Sequence, residues 1–468
     1  MKRDRLHLRA PGNWMNDPNG FIYFQGKYHL FYQYFPYAPV WGTMHWGHAV
    51  SEDLVHWEHL GTALFPTKAY DQNGVFSGSG LEKDGKLYLY YSAVKYLETD
   101  EENIHVAYQD RYETSQAMIV SEDGYHFDNW KDKRRIVPVI SDKEIGDRTH
   151  TRDPKVWRDG DTYYMALGST YEEQKGRVLF YRSKDANEWE YVNQCRAEGF
   201  GRILECPDLF QVSGSYVFIG SPMYAAEDGL EYAHHAMCAL AKFRSLDCEM
   251  GLLSKSRLVD YGMDLYAPQT NVDKEGRRVM IGWMRMPEAV VKEGEEPWIG
   301  MMSLPRVVEV VDGHIYFRVH PEVDRYFEDE VPLGELYAGK RAVIKRPALR
   351  RPVCGREEQE DAGQACDDVP YRLRTELWEG GELNIGGYRL WREGDIVKAD
   401  RSQVYRGLTG YRLTGSTPKL GGRCELDIFI DGNLIEVFVN GGQYVLSHVV
   451  YGLGDEIEGH IEHVYVGK

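Results

Sequence analysis

A pattern of about 60 residues recurs five times in the N-terminal part of the chain and constrains the fold more than any other feature. Each copy contains a glycine followed by a short run of alternating aromatic and aliphatic residues, which predicts the second strand of a β-hairpin. The glycines are Gly26, Gly85, Gly160, Gly214 and Gly276. They lie 59, 75, 54 and 62 residues apart, which indicates one structural unit repeated along the chain.

A second marker follows the same period. A serine and an aspartate separated by one residue recur, beginning at Ser51, Ser121, Ser183 and Ser245, at intervals of 70, 62 and 62 residues. Short polar side chains of this kind hydrogen-bond to nearby backbone amides and favour turns. We interpret the marker as the turn between the two outer strands of each unit.

Five units of about four strands each predict an all-β fold, a five-bladed β-propeller over residues 1–310. A β-sandwich is the structural alternative for this region, but it does not predict five recurring hairpins. After a connector over 311–326, short strands separated by glycines predict a second domain, a C-terminal β-sandwich over 327–468. Within it, residues 340–368 are charged and irregular, which is typical of a loop.

The net charge of −18 argues against functions that depend on a basic surface. We therefore expect neither a nucleic acid nor an anionic membrane as partner. The 33 tyrosines, 16 phenylalanines and 11 tryptophans favour an all-β fold with a sugar-binding cleft, because flat apolar rings suit both. The oligomeric state is left open.

The cellular location can be predicted from what the sequence lacks. No apolar segment follows the charged start Met1–His7, and no run of about 20 apolar residues occurs. The seven cysteines are odd in number and widely spaced, without a Cys-x-x-Cys pair. We expect reduced thiols in a cytoplasmic protein with no metal site.

Five short motifs occupy the same place in the five units. They contain Asp17, Ser77, Asp153, Glu205 and Gln269, which lie 9, 8, 7, 9 and 7 residues before the hairpin glycines. Because the innermost strands of a propeller surround its central channel, the motifs should converge on one rim and bring three carboxylates into one pocket. We expect Asp17 on a sharp bend before a strand at 21–24, since Pro, Asn and Gly follow it.

A pocket with three carboxylates and no plausible metal ligand suggests nucleophilic and general acid chemistry. Glycoside hydrolysis uses such a carboxylate pair, one ionised and one protonated. Trp14, Trp41, Trp46 and Trp283 could offer flat faces to sugar rings, although packing between blades is the more ordinary role for any one of them.

The motifs at 14–20, 152–154 and 205–207 resemble the three signature motifs of glycoside hydrolase family 32, which contains invertases, sucrose-6-phosphate hydrolases, inulinases and levanases. Supporting matches lie at 31–34, 44–48, 76–79, 266–270 and 282–284, and residues 435–440 resemble the C-terminal sandwich of the family. The resemblance covers nearly the whole chain. It implies a propeller followed by a sandwich.

The resemblance also implies roles. Asp17 would be the nucleophile, Glu205 the general acid and base, and Asp153 the stabiliser of the transition state. The positions that match the fructose subsite are Trp14, Met15, Asn16, Gln33, Trp41, Phe76, Ser77, Arg152 and Trp283. The expected activity is a retaining β-fructofuranosidase acting on sucrose, sucrose 6-phosphate or short fructo-oligosaccharides, without a cofactor. Fructosyl transfer at the same site and a non-catalytic, sugar-binding propeller are the alternatives.

The two roles of Glu205 imply an expectation about proton affinity. The residue must be protonated in the first step and ionised in the second. Crowding by Asp17 and Asp153 should raise the pKa of Glu205, while Asp17 stays ionised.

Overall fold

The computed structural model describes residues 3–172, 175–225, 234–332, 342–345, 369–405 and 407–468. Strands make up nearly all of the regular structure, as the sequence predicts. The chain divides into two compact units, one of residues 1–259 with 264–315 and the other of residues 260–263 with 316–468. The predicted boundaries at 310 and 326 stay predictions. The predicted loop at 340–368 lies outside the described residues, apart from a short strand at 342–345.

The first unit contains five sheets, and in each of them four strands pair antiparallel one after another. We call the strand that carries the acidic or equivalent motif of each repeat, and that pairs with the strand after the repeat's glycine, the first strand of its sheet. The first sheet has the order β1-β5-β4-β3-β2, with a short parallel strand, β21, added beside β2. Its strands are β1 (Arg3–Arg5), β2 (Asn13–Phe24), β3 (Lys27–Phe35), β4 (His45–Ser51), β5 (His56–Leu64) and β21 (Trp298–Ile299).

The second and third sheets each consist of four consecutive strands. The second contains β6 (Gly74–Lys83), β7 (Lys86–Tyr96), β8 (Tyr112–Ser121) and β9 (Arg134–Val137). The third contains β10 (Arg152–Asp159), β11 (Thr162–Tyr171), β12 (Lys175–Ser183) and β13 (Glu190–Arg196).

The fourth and fifth sheets keep this order and add short strands. The fourth contains β14 (Ile203–Val212), β15 (Ser215–Met223), β16 (Met237–Arg244), β17 (Glu249–Leu252) and β18 (Arg257–Leu258). The fifth contains β19 (Leu265–Val272), β20 (Arg278–Met284), β22 (Met301–Met302), β23 (Arg306–Val311) and β24 (His314–Val319).

The five predicted hairpins are confirmed. The glycine of each repeat lies between the first and second strands of its sheet, and all five have positive φ, from 57° to 89°. A residue with a Cβ is disfavoured in this left-handed region, so the tight turn accounts for the recurring glycine.

The serine–aspartate marker also lies where it was predicted, between the third and fourth strands. Ser51 Oγ accepts from the backbone N–H of Leu54 at 2.8 Å, and the equivalent bonds of Ser121 and Ser183 are 3.0 and 2.9 Å long. The fourth copy is held differently, because Arg244 Nε donates to Asp247 at 2.8 Å.

Neighbouring sheets of the first unit pack face to face. Buried residues of the first and second sheets form one hydrophobic cluster, those of the second and third form another, and those of the third and fourth a third. The first strands contact one another in sequence, β2 with β6, β6 with β10, β10 with β14 and β14 with β19. Strand β19 also contacts β2, so each first strand has two neighbouring first strands.

The second unit contains two six-stranded antiparallel sheets and a short helix, α1 (Pro321–Tyr326). One sheet contains β25 (Asp329–Glu330), β27 (Tyr371–Glu376), β32 (Glu425–Asp431), β33 (Leu434–Val439), β34 (Tyr444–Val449) and β36 (His463–Val466). The other contains β26 (Ala342–Lys345), β28 (Glu382–Ile385), β29 (Tyr388–Glu393), β30 (Ile396–Asp400), β31 (Thr414–Ser416) and β35 (Glu456–Gly459). Both sheets contribute to one hydrophobic core, in which Leu373, Leu390 and Ile428 are fully buried.

None of the described helices has the length and apolar character that crossing a bilayer requires.

Candidate active site

The motifs of the first strands form bulges, and these bulges position the site. Four motifs contain a residue followed by proline, at Asp17, Asp153, Cys206 and Ala267. In each case the register of the first strand against the second shifts at that point. Proline has no N–H to donate to the ladder, which explains why regular pairing is interrupted there. The expected bend before a strand is wrong for Asp17, because the whole motif lies inside β2.

Three of the bulge residues adopt left-handed backbone conformations, with φ of 64° at Asp153, 45° at Cys206 and 48° at Ala267. Such strain typically costs about 1–3 kcal/mol per residue and persists only where surrounding contacts fix it. Here each backbone N–H is bound by a side chain. Ser92 Oγ accepts from Asp153 at 2.8 Å, Asp153 Oδ2 accepts from Cys206 at 2.9 Å, and Ser221 Oγ accepts from Ala267 at 3.2 Å.

Asp17 accepts hydrogen bonds from three neighbours. Ser77 Oγ donates to Oδ2 at 2.6 Å, Asn16 Nδ2 donates to Oδ1 at 3.2 Å, and the Cys206 thiol lies 3.7 Å from Oδ2. Asn16 is oriented in turn by Trp14 Nε1, which donates to its side-chain oxygen at 2.8 Å. Burial raises the pKa of Asp17 to about 6, because it outweighs the stabilising bond from Ser77.

Asp153 lies beside the same thiol, with Cys206 Sγ 3.6 Å from its Oδ2. Only 6% of the residue is exposed. Burial raises the pKa of Asp153 to about 7; the charge of Arg152 opposes this effect, and the nearby carboxylates of Glu205 and Asp17 add to it. One thiol therefore bridges the carboxylates of the first and third sheets.

Glu205 is paired with cationic and hydroxyl donors. Arg152 donates to Oε1 from Nε at 3.1 Å and from Nη2 at 2.8 Å, and Tyr266 Oη donates to Oε2 at 2.7 Å. Burial acts to raise the pKa of Glu205, but the charge of Arg152 and these hydrogen bonds outweigh it and hold the pKa below its usual value. The expectation that crowding raises this pKa is wrong, because the effect of Arg152 exceeds that of the neighbouring carboxylates.

Aromatic side chains lie next to the residues that contact the three carboxylates. Trp14 and Trp283 meet edge to face with ring centroids 6.1 Å apart, and Trp283 lies 6.5 Å from Tyr266. In a second aromatic pair, Trp41 meets Phe76 edge to face at 6.1 Å. Phe76 directly precedes Ser77, which connects the second pair to Asp17.

The remaining two predicted residues have contacts of another kind. Met15 is fully buried. Gln33 is also buried, and its Nε2 donates to the backbone oxygen of Val75 at 3.0 Å. The fructose-binding roles of both residues stay predictions.

Sequence reasoning missed Tyr266 as a member of the site. The signal was present, since Asn16, Arg152, Glu205 and Tyr266 each stand two residues before the proline of their motif. Aligning the motifs on proline would have placed Tyr266 beside Glu205. Within the described part of the chain, no group of three or more His, Cys, Asp or Glu residues is arranged to hold a metal ion.

The sequence and fold match known proteins over nearly their full length. The family model "Glycosyl hydrolases family 32 N-terminal domain" matches residues 7–321, and "Glycosyl hydrolases family 32 C terminal" matches residues 393–464. A sucrose-6-phosphate hydrolase of Escherichia coli is 32% identical, over 97% of this chain and 90% of that protein. A raffinose invertase of Escherichia coli is also 32% identical, over 96% of this chain and 90% of that protein.

Among solved structures, a mutant β-fructofuranosidase of Bombyx mori in complex with sucrose superimposes with a TM-score of 0.75 at 26% identity, covering 99% of this chain and 92% of that one. The family models together span most of the sequence, and the bulged motifs that carry the three carboxylates fall inside the first of them. The chain is therefore a glycoside hydrolase that belongs to family 32.

Proposed function

We propose that this glycoside hydrolase is a retaining β-fructofuranosidase that releases the terminal fructosyl unit of sucrose, sucrose 6-phosphate or short fructo-oligosaccharides. The observation that carries the proposal is that the three acidic residues meet around one thiol. Cys206 Sγ lies 3.7 Å from Asp17 and 3.6 Å from Asp153, and Cys206 directly follows Glu205 in the chain. The names of the E. coli relatives, a sucrose-6-phosphate hydrolase and a raffinose invertase, support the substrate class.

In the proposed reaction, Asp17 attacks the anomeric carbon of the fructosyl unit and Glu205 protonates the leaving oxygen. Glu205 then removes a proton from the incoming water, which attacks the fructosyl–enzyme bond. Two displacements at one carbon retain its configuration. Asp153 and Arg152 hold fructose hydroxyls, and Trp14, Trp41, Phe76 and Trp283 offer ring faces to the sugar.

The pairing of Arg152 with Glu205 implies how the acid obtains its proton. Burial raises the pKa values of Asp17 and Asp153, whereas Arg152 lowers that of Glu205. Asp17 and Asp153 therefore bind a proton more tightly than Glu205 does. Because the three groups lie close together, their protons titrate as a shared set. A substrate hydroxyl that binds Arg152 weakens the ion pair with Glu205. The pKa of Glu205 then rises, and the carboxyl can take up the proton that catalysis requires.

The proposal includes the architecture. The five sheets of the first unit are interpreted as the blades of a β-propeller, supported by the face-to-face packing of neighbouring sheets and the contact of β19 with β2. The two six-stranded sheets of the second unit are interpreted as a β-sandwich, supported by their common core. The limits proposed for the two domains are residues 1–310 and 327–468, with the connector between them.

We also propose a cytoplasmic location, supported by the five described cysteines, all of which are free thiols. Free cysteines are typical of reducing compartments. The proposed substrate is a small sugar that a transporter delivers to the cell interior.

Steady-state kinetics on sucrose, sucrose 6-phosphate and 1-kestose test the proposal. Release of fructose from at least one of them, absent in Asp17→Asn, is the expected result. Product analysis at high sucrose separates hydrolysis from fructosyl transfer. The proposal is wrong if the wild-type protein releases no fructose from any of the three, or if Asp17→Asn retains full activity.

A further inference from the structure

A closed series of buried polar contacts joins the five first strands next to the catalytic groups. We call the five side chains that form it the polar belt: Asn19, Ser79, Lys155, Asp208 and Gln269. Its links are Asn19 Oδ1 with Gly78 N at 2.9 Å, Ser79 Oγ with Pro154 O at 2.7 Å, Lys155 Nζ with Asp208 Oδ2 at 3.0 Å, Asp208 Oδ2 with Thr270 N at 2.8 Å, and Gln269 Oε1 with Phe21 N at 2.9 Å. Every first strand is thereby tied to its two neighbours.

Lys155 and Asp208 form the one ion pair of the polar belt. Their side chains are 9% and 2% exposed, and Lys155 also donates to the backbone oxygen of Thr270. The pair spans the two strands that carry Arg152 with Asp153 on one side and Glu205 on the other. Lys155 and Asp208 are also the residues at which regular pairing resumes after the bulges of β10 and β14.

Stability alone does not account for this ion pair. A buried pair of charges is often replaceable by apolar side chains of similar size without loss of stability, because desolvation offsets the attraction. Here the second oxygen of Asp208, Oδ1, is buried and makes no hydrogen bond with the described residues, which makes the pair less favourable still. A charged contact at this place is better explained by what it holds in position.

We propose that Lys155 and Asp208 are positioning residues that fix the bulge carrying Asp153 relative to the bulge carrying Glu205. The two bulges lie in strands of different sheets, so no ladder of strand pairing sets the spacing of the two carboxyl groups. The ion pair joins the two strands two residues after Asp153 and three residues after Glu205, and it adds to the direct contacts of Cys206 with Asp153 and of Arg152 with Glu205. The inference rests on the proposed roles of Asp153 and Glu205.

The central test separates positioning from stability. The double variant Lys155→Met/Asp208→Asn removes both charges and nearly keeps side-chain volume, so it should fold with a Tm close to that of the wild type. Its kcat on sucrose should fall by about 100-fold, because a misplacement of about 1 Å in a catalytic group has an effect of this size. A folded double variant with wild-type kcat overturns the inference.

A second buried ion pair provides the matched control. Lys133 Nζ lies 2.8 Å from Asp71 Oδ2, and both side chains are fully buried. Asp71 also accepts from Tyr91 Oη and from two backbone N–H groups, so Lys133→Met/Asp71→Asn should lose more stability than the belt variant. It should nevertheless keep its kcat at temperatures where it is folded. An equal loss of kcat in this control attributes the effect to general destabilisation and also overturns the inference.

A third measurement distinguishes failure of this inference from failure of the proposed function. Asp208→Glu keeps the charge and lengthens the side chain by one methylene. If the pair positions Glu205, turnover of sucrose should fall more than turnover of fructosyl fluoride, whose leaving group needs little acid assistance. Equal losses on the two donors contradict the positioning role. Full activity of Asp17→Asn, by contrast, contradicts the proposed function whatever Asp208→Glu does.

Discussion

Arg152 donates two hydrogen bonds to a single oxygen of Glu205, from Nε at 3.1 Å and from Nη2 at 2.8 Å. Only 7% of the arginine side chain and 20% of the glutamate side chain are exposed, so the ion pair is shielded from water and salt. The proposed acid is thus held in its ionised form by the residue that is also proposed to bind substrate. Substrate binding and protonation of Glu205 are therefore coupled through one guanidinium group.

Tyr266→Phe should shift the alkaline limb of the pH profile of kcat, which reports the enzyme–substrate complex, to higher pH. Tyr266 Oη donates to Glu205 at 2.7 Å and is one of the groups that oppose the effect of burial on its pKa. Losing this bond destabilises the ionised carboxyl, so its pKa rises and the acid stays protonated to higher pH. Tyr90→Phe is the control, because Tyr90 Oη donates to Ala186 in the core. A limb that stays in place or moves to lower pH contradicts the assignment.

Ser77→Ala should shift the acid limb of the same profile to higher pH. The nucleophile must be ionised, and burial raises the pKa of Asp17 to about 6, so kcat should fall as the pH drops below about 6. Ser77 stabilises the ionised form through a 2.6 Å bond. Removal of the Ser77 hydroxyl raises the pKa of Asp17 further. Activity should therefore be lost at a higher pH on the acid side of the profile. The control Ser121→Ala, at a distant turn, should leave the limb unchanged.

Asp17→Asn should abolish turnover and stabilise the fold at neutral pH. The lost nucleophile removes on the order of several kcal/mol of transition-state stabilisation. Because burial raises the pKa of Asp17 from 3.8 to about 6, the folded wild type binds this proton more tightly than the unfolded chain. The wild type therefore loses stability as the pH rises from about 4 to about 6, and the asparagine variant avoids this loss.

Thermal unfolding as a function of pH measures the effect. The Tm of Asp17→Asn should equal that of the wild type near pH 4 and exceed it above about pH 6. At that higher pH the free energy of unfolding of the variant should be larger by roughly 1–3 kcal/mol. Ser121→Ala should show no gain that grows with pH. A variant that is less stable than the wild type at pH 7 would show that the carboxylate of Asp17 contributes to stability instead of opposing it.

Glu205→Gln should be severely impaired on sucrose and much less impaired on fructosyl fluoride. Glutamine cannot give a proton to the leaving oxygen of sucrose, whereas fluoride departs with little assistance. Azide should then accelerate turnover of the fluoride donor, because it attacks the fructosyl–enzyme bond without a general base. Equal impairment on both donors with no effect of azide would move the acid and base role to another residue.

The meeting of distant carboxylates could be predicted because it depends only on repetition. Asp17, Asp153 and Glu205 occupy the same place in three copies of one unit, so any arrangement that stacks the copies brings them together. Local conformation was harder to predict. Pro18, Asn19 and Gly20 favour a turn, but they lie in β2, which pairs with β3. The preference for a turn appears there as shifts in the register of the two strands.

The proton affinities could not be predicted from the sequence. Arg152 is adjacent to Asp153 in the chain, yet its two shortest hydrogen bonds go to Glu205, which lies 53 residues away. An expectation based on crowded carboxylates counts only the negative charges near Glu205. It leaves out Arg152, because the sequence does not show towards which carboxylate that side chain points. The same reason hid Lys155 and Asp208, since each is unremarkable until the other is placed 3.0 Å away.

The bulges also change which residues a strand can offer to a ligand. In a regular strand, consecutive side chains point to opposite faces, so only every second residue reaches a given surface. The shift in register at Arg152 and at Glu205 releases two adjacent residues from that alternation, and each of these strands presents a dipeptide to the pocket. The functional groups of these two strands are therefore found in pairs of neighbouring residues, Arg152 with Asp153 and Glu205 with Cys206. A scaffold of this kind can exchange one specificity for another through substitutions confined to a few dipeptides.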